Sequence, residues 1–156
     1  MTKVHMVDAV YNEEDGWSVV TKDSPYGRVR GWAEVDITEE DGNHWDGCKI
    51  AEMRADIEIQ KRRTKQLNHR SMVTDEIVNH VLKELELYPD RYQSIDDMKK
   101  LLANIQWSAK KQAKDNQKKL ARMRESLPAK IDTLLEERQA IREQIEKMHK
   151  ARENKE

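Results

Sequence analysis

At 156 residues, with 38% charged and 37% hydrophobic residues and a mean hydropathy of −1.01, the chain is too polar to enclose a large globular core. Three Pro and five Gly are too few for a disordered linker, and one Cys excludes both a disulfide framework and a Cys-based zinc site. No apolar run approaches the roughly 18 residues a membrane span needs, and the first apolar stretch, Val4 to Val10, is cut by Asp8, so no leader is expected and a reducing cytoplasm is the expected setting.

The net charge of −1 conceals a block pattern. Residues 1–58 carry 6 Lys/Arg against 14 Asp/Glu, residues 59–70 carry five basic residues and no acid, and residues 71–97 carry 2 against 7. Residues 98–130 then carry 10 against 2, and residues 131–156 carry 6 against 7. An acidic head is followed by helical segments of alternating sign, which either pair with one another or meet an external partner.

Residues 3–11, 17–22 and 28–37 are short and rich in Val and aromatics. Turn-forming runs separate them: Asn12 to Gly16, then Asp23 to Gly27. The pattern predicts a three-stranded antiparallel meander, which needs a cover to be stable. The cover is a helix from about Asp46 to His69, entered through the polar turn Thr38–Asn43, with Ile50, Met53, Ile57, Gln60 and Thr64 expected on its inner face and Ala51 and Ala55 flanking them. Thr74 is placed to cap a second helix ending before Pro89, and Ser94 to cap a third with Asp97 three residues on.

From Asp96 the pattern stays helical, with Met98, Leu102, Ile105, Ala109, Gln112, Asn116, Leu120 and Met123 at 3–4 spacing and a break expected at Leu127-Pro128. Ile131, Leu134, Arg138, Ile141, Ile145 and Met148 then form a heptad seam with one arginine at a core position. So narrow a stripe needs another helix: an antiparallel hairpin turning near Glu125–Leu127, or a second copy joined through Ile131, Leu134, Ile141, Ile145 and Met148. The expected fold is α+β, a small three-stranded antiparallel sheet covered by a helix and followed by a long coiled-coil or hairpin extension. The expected divisions are an acidic head (1–70), a connecting helix and turn (71–95) and a helical tail (96–156).

No catalytic constellation is present in the sequence. The five histidines lack metal-site spacing, and His44, Asp46 and Cys48 crowd into a helix-start turn where Asp46 reads as a cap and Cys48 as a small half-buried side chain. Glycine-rich phosphate loops, nucleophile elbows and calcium loops are absent from it. The chain is therefore expected to be a non-enzyme without cofactor or metal. The sharpest signal is Trp107, which falls opposite the apolar stripe of its helix, amid Lys100, Lys110, Lys111, Lys114 and Lys118. It either packs against the rest of the chain, with the lysines paired to acidic segments, or stands exposed as an anchor for a base or a protein pocket. The run Lys61-Arg62-Arg63 is a second basic patch, either solvated at a helix end or in contact with phosphates.

Gly31-Trp32-Ala33, Glu39-Glu40-Asp41 and Trp45-Asp46-Gly47-Cys48-Lys49-Ile50-Ala51-Glu52-Met53-Arg54-Ala55 resemble a small strand–turn–helix unit, spanning about residues 28–62 here, of accessory proteins from tailed phages of Gram-positive bacteria. The resemblance implies a phage context in a host cytoplasm. It suits an early protein that binds and inhibits a host factor, such as a defence nuclease. A protein-binding module using the Trp107 face or the acidic head is the leading expectation. A nucleic-acid-binding accessory protein using the Lys-rich helix 98–124 with Trp107 is the alternative.

Overall fold

The computed structural model describes residues 3–12, 14–34 and 44–155. The end of the expected third strand past Glu34 and the turn Thr38–Asn43 lie outside the described residues, as do the side chains of His44 and Trp45. The elements are β1 (His5–Asn12), β2 (Trp17–Ser24), β3 (Gly27–Glu34), α1 (His44–Leu87), a single 3-10 turn at Pro89–Arg91 and α2 (Ile95–Glu153). This is an α+β protein. Its residues form two compact units, one of Met1–Glu58 with Met123–Glu156 and the other of Ile59–Arg122. Both long helices contribute to each unit.

In the first unit the three strands form an antiparallel meander in the order β1-β2-β3. Both expected turns are present. Gly16 and Gly27 hold φ of 69° and 102°, where a side chain would be strained, and Ser24 donates its hydroxyl to the Gly27 carbonyl at 2.7 Å. Alternation then sorts the faces. Ser18, Val20, Lys22 and Ser24 of β2 and Val29, Gly31 and Ala33 of β3 are buried. Ala51 and Ala55 of α1 are fully buried as well, and Val20, Ala33 and Ala51 form the core with Cys48 and Ile50 packed against it. The centre of the helix face is thus the alanine pair, with Ile50, Met53 and Ile57 only half-buried beside it. The glycine explains this: a Cβ on Gly31 would collide with the Ala51 carbonyl oxygen, so only small side chains fit between helix and sheet.

Polar groups complete this packing. Lys22 Nζ, on the buried face, reaches Asp56 at 2.7 Å and Glu52 at 2.8 Å. Arg54 donates to the Trp32 carbonyl at 2.7 Å, satisfying a backbone acceptor of β3. The C-terminal part of α2 belongs to the same unit. Arg138, the arginine at a seam position, donates to Asp46 at 2.8 Å with both side chains largely buried. Asp46 therefore lies inside the first turn of α1 as the partner of an arginine, rather than outside the helix as its cap. Met53 and Leu134 line one shallow hollow.

The second unit is an antiparallel helix pair. The chain reverses between Leu87 and Ile95, through Pro89–Arg91 and Ser94, which takes a left-handed φ of 55° and accepts the Met98 N–H at 3.1 Å. The hairpin turn expected near Glu125–Leu127 is not there: α2 runs through Pro128 as one helix. Proline at 128 removes one backbone bond at a cost of about 3 kcal/mol. Packing on either side of it, with Leu127, Ile131 and Leu134 half-buried, keeps the segment helical. α1 likewise continues through Thr74 rather than restarting there. No Gly or Pro interrupts it from Cys48 to Tyr88, and a threonine inside a helix costs less than 1 kcal/mol.

Along this pair α1 buries Ile59, Thr64, Val78 and Leu85, and α2 buries Ala113, Asn116 and Leu120. The inward positions of α2 include Gln106 and Ala113 in place of the expected Ile105 and Gln112, both of which are exposed. A 3–4 pattern leaves that one-residue choice open, and the small Ala113 is the better neighbour for an opposing helix. Asn116 donates to Thr64 Oγ1 at 2.6 Å, a buried polar contact that sets the register of the pair.

Candidate nucleic-acid interface

The antiparallel register brings together two basic blocks that lie some fifty residues apart in sequence. Thr64 meets Asn116, Asn68 accepts from Gln117 at 3.3 Å, and Asp75 pairs with Lys110 at 3.6 Å. Residues 59–70 and 108–122 therefore run side by side, and together they carry 11 Lys/Arg against one acid, Asp115. The second unit as a whole holds 15 Lys/Arg against 8 Asp/Glu, and the first 14 against 22. Concentrating the positive charge on one helix pair yields a local potential that the near-neutral total conceals.

Two basic surfaces result, and the expected residues divide between them. Arg63 lines a hollow of about 290 Å³ between the helices, together with Lys119, Asp115 and Asn116. Lys61 and Arg62 are exposed on the same helix. The other surface lies on α2 opposite its buried positions. Trp107 is 64% exposed there, which decides between the two sequence readings: it is an outward side chain and not a packed one. Lys111 Nζ sits 4.9 Å from the centre of the Trp107 ring, a cation–π contact. Lys100, Lys114 and Lys118 are exposed as well. Lys110 differs from them, since Asp75 neutralises part of its charge. Lys61, Arg62 and Arg63 are therefore not neighbours of Trp107 on one face; they belong to the opposing helix and its groove.

A further exposed patch escaped the sequence reading. On the outer face of the sheet the pairing lines up Val10, Val19 and Trp32 across the three strands, with Trp17 in the adjacent row. The two tryptophan rings meet edge to face at 6.3 Å and remain 40% and 49% exposed. Period-two alternation would have revealed this row once the face carrying Ser18 and Val20 was known to be the covered one. Beside it Arg28 grips Asp23 through two bonds of 2.7 and 3.2 Å, and the hydrogen bond from that guanidinium holds the Asp23 carboxyl below the usual carboxylate range.

The seam expected to join two copies is largely spent within the first unit. Ile131 and Leu134 are half-buried and Arg138 is committed to Asp46, while Ile141, Ile145 and Met148 stay exposed. What remains outward spans only about two turns, short of the three to four heptads that a stable coiled coil requires. Among the described residues no cluster of His, Cys, Asp or Glu is arranged to hold a metal ion, and no helix is long and apolar enough to cross a membrane. Cys48 packs half-buried on the core. Comparison with known protein families, with characterised proteins and with solved structures found no match.

Proposed function

We propose that this chain is a non-catalytic binding protein and that the basic helix pair of its second unit binds nucleic acid. The observation that carries this is the convergence of residues 59–70 and 108–122, with 11 basic side chains and one acid, on adjacent antiparallel segments. Buried packing accounts for Thr64, Ala113, Asn116 and Leu120, whereas Lys61, Lys65, Lys111, Lys114, Lys118 and Lys119 are exposed and need counter-charge, and Lys110 meets Asp75. Phosphates meet that need, and releasing their counterions supplies the affinity. Titrating a labelled 20-nucleotide DNA or RNA with the full chain across 50–300 mM salt tests this reading. Binding should weaken steeply with salt, and Lys111, Lys114 and Lys118 changed together to Gln should lower the log–log slope by about 2. Absence of salt-dependent binding at 50 mM would reject it.

A second reading is favoured by the sheet. The exposed Trp17–Trp32 pair and the acidic balance of the first unit suit a protein partner, as expected for a phage early protein that engages a host factor. Under that reading Trp32→Ser abolishes partner capture from a host extract while Lys111→Gln leaves it intact.

A further inference from the structure

The line of side chains on which Trp107 lies points to a particular form of nucleic acid. At 100° per residue, Lys100, Lys111, Lys114 and Lys118 all fall within about 40° of Trp107 around α2. All five are exposed, and they stand opposite Ala113, Asn116 and Leu120, which are buried. At 1.5 Å per residue the line is about 27 Å long; Lys100 lies about 10 Å before Trp107, and Lys111, Lys114 and Lys118 follow it at about 6, 10 and 16 Å. Asp115, the one acid between residues 98 and 124, is turned from this line into the hollow beside Arg63 and Lys119.

Resting on the nucleic-acid reading above, we propose that this line is a track for single-stranded nucleic acid, with one base stacked on Trp107 and the flanking phosphates on Lys100, Lys111, Lys114 and Lys118. The tryptophan decides the strandedness. In a duplex the base faces are stacked on one another, so a row of lysines reads phosphates and an indole in their midst gains nothing. A single strand presents open base faces, and an aromatic ring between cations is how proteins hold one without reading its sequence. Lys111 lies over one face of the ring at 4.9 Å, so the base takes the opposite face and the indole is held between a cation and a base. A single aromatic on the track implies tolerance of base identity, with preference set by stacking.

The test measures fluorescence anisotropy of labelled dT20 and of a labelled 20-base-pair duplex with the full-length chain at 100 mM salt. The wild type should bind dT20 at least tenfold more tightly than the duplex. Trp107→Leu should lose about tenfold on dT20 and less than twofold on the duplex, and Trp107→Phe should restore most of the loss. Trp107 is exposed, so circular dichroism should show the variants folded as the wild type. Equal affinity for both forms, or a Trp107→Leu loss of the same size on both, overturns the single-strand assignment and leaves the nucleic-acid reading standing. Failure of both forms to bind overturns the two together.

Discussion

Gly31 of β3 stands so close to Ala51 of α1 that a single added carbon would overlap the Ala51 carbonyl oxygen. The offending atoms are backbone, Ala51 oxygen and Ala55 nitrogen, so no side-chain rotation relieves the overlap. Gly31→Ala should therefore push helix and sheet apart and cost about 2–3 kcal/mol, with Gly31→Val costing more. Urea unfolding followed by far-ultraviolet dichroism measures the loss. A change of less than 0.5 kcal/mol would show that helix and sheet do not meet at this distance.

Lys22 predicts an alkaline limit to stability. Burial works against its charge, yet the hydrogen bonds and charges of Asp56 and Glu52 outweigh it and raise its pKa above the ordinary lysine value. A raised pKa in the folded state means that the stabilisation is complete below about pH 10.4, the unfolded lysine value, and is lost as pH climbs through the folded one. Thermal midpoints of the wild type should thus fall above pH 10.5 more steeply than those of Lys22→Met. At neutral pH that variant should be less stable by about 1–2 kcal/mol, a modest figure because both carboxylates are partly solvated.

The ion pair of Arg138 with Asp46 is enclosed, and one partner left alone is costly. Arg138→Met should destabilise by about 3 kcal/mol, since it strands a buried carboxylate. Adding Asp46→Asn should recover part of the loss, giving a coupling above 1 kcal/mol in a double-mutant cycle. Additive single effects would mean that the two side chains do not interact.

Ser94 offers the opposite sign. Its φ of 55° lies in the left-handed region, which costs a residue with a side chain about 1 kcal/mol relative to glycine. Ser94→Gly should raise stability by about 0.5 kcal/mol once the greater freedom of the unfolded chain is deducted, and differential scanning calorimetry should register a higher midpoint. A lower midpoint would show that the serine hydroxyl contributes more at the turn than the strain removes.

Local chemistry made much of this protein legible before any coordinates. Turn residues at Asn12–Gly16 and Asp23–Gly27 marked the meander, and the wheel placed Trp107 outside the apolar stripe, where it is found. These features depend on residues within a few positions of one another, so a linear reading reaches them. Thr74 and Pro128 misled for the same reason: one is a true local start signal and the other a true local break signal, both overruled by packing along helices that run straight through them. Pairing across the fold was beyond a linear reading. An arginine at a seam position announces that it needs an acid, but only the folded chain names Asp46, 92 residues away. The union of residues 59–70 with 108–122 depends likewise on a reversal at Pro89 and on the Thr64–Asn116 register. Charge sign and helical period are properties of the sequence alone, whereas which charges become neighbours is set by where the chain turns back and which small residues let it close.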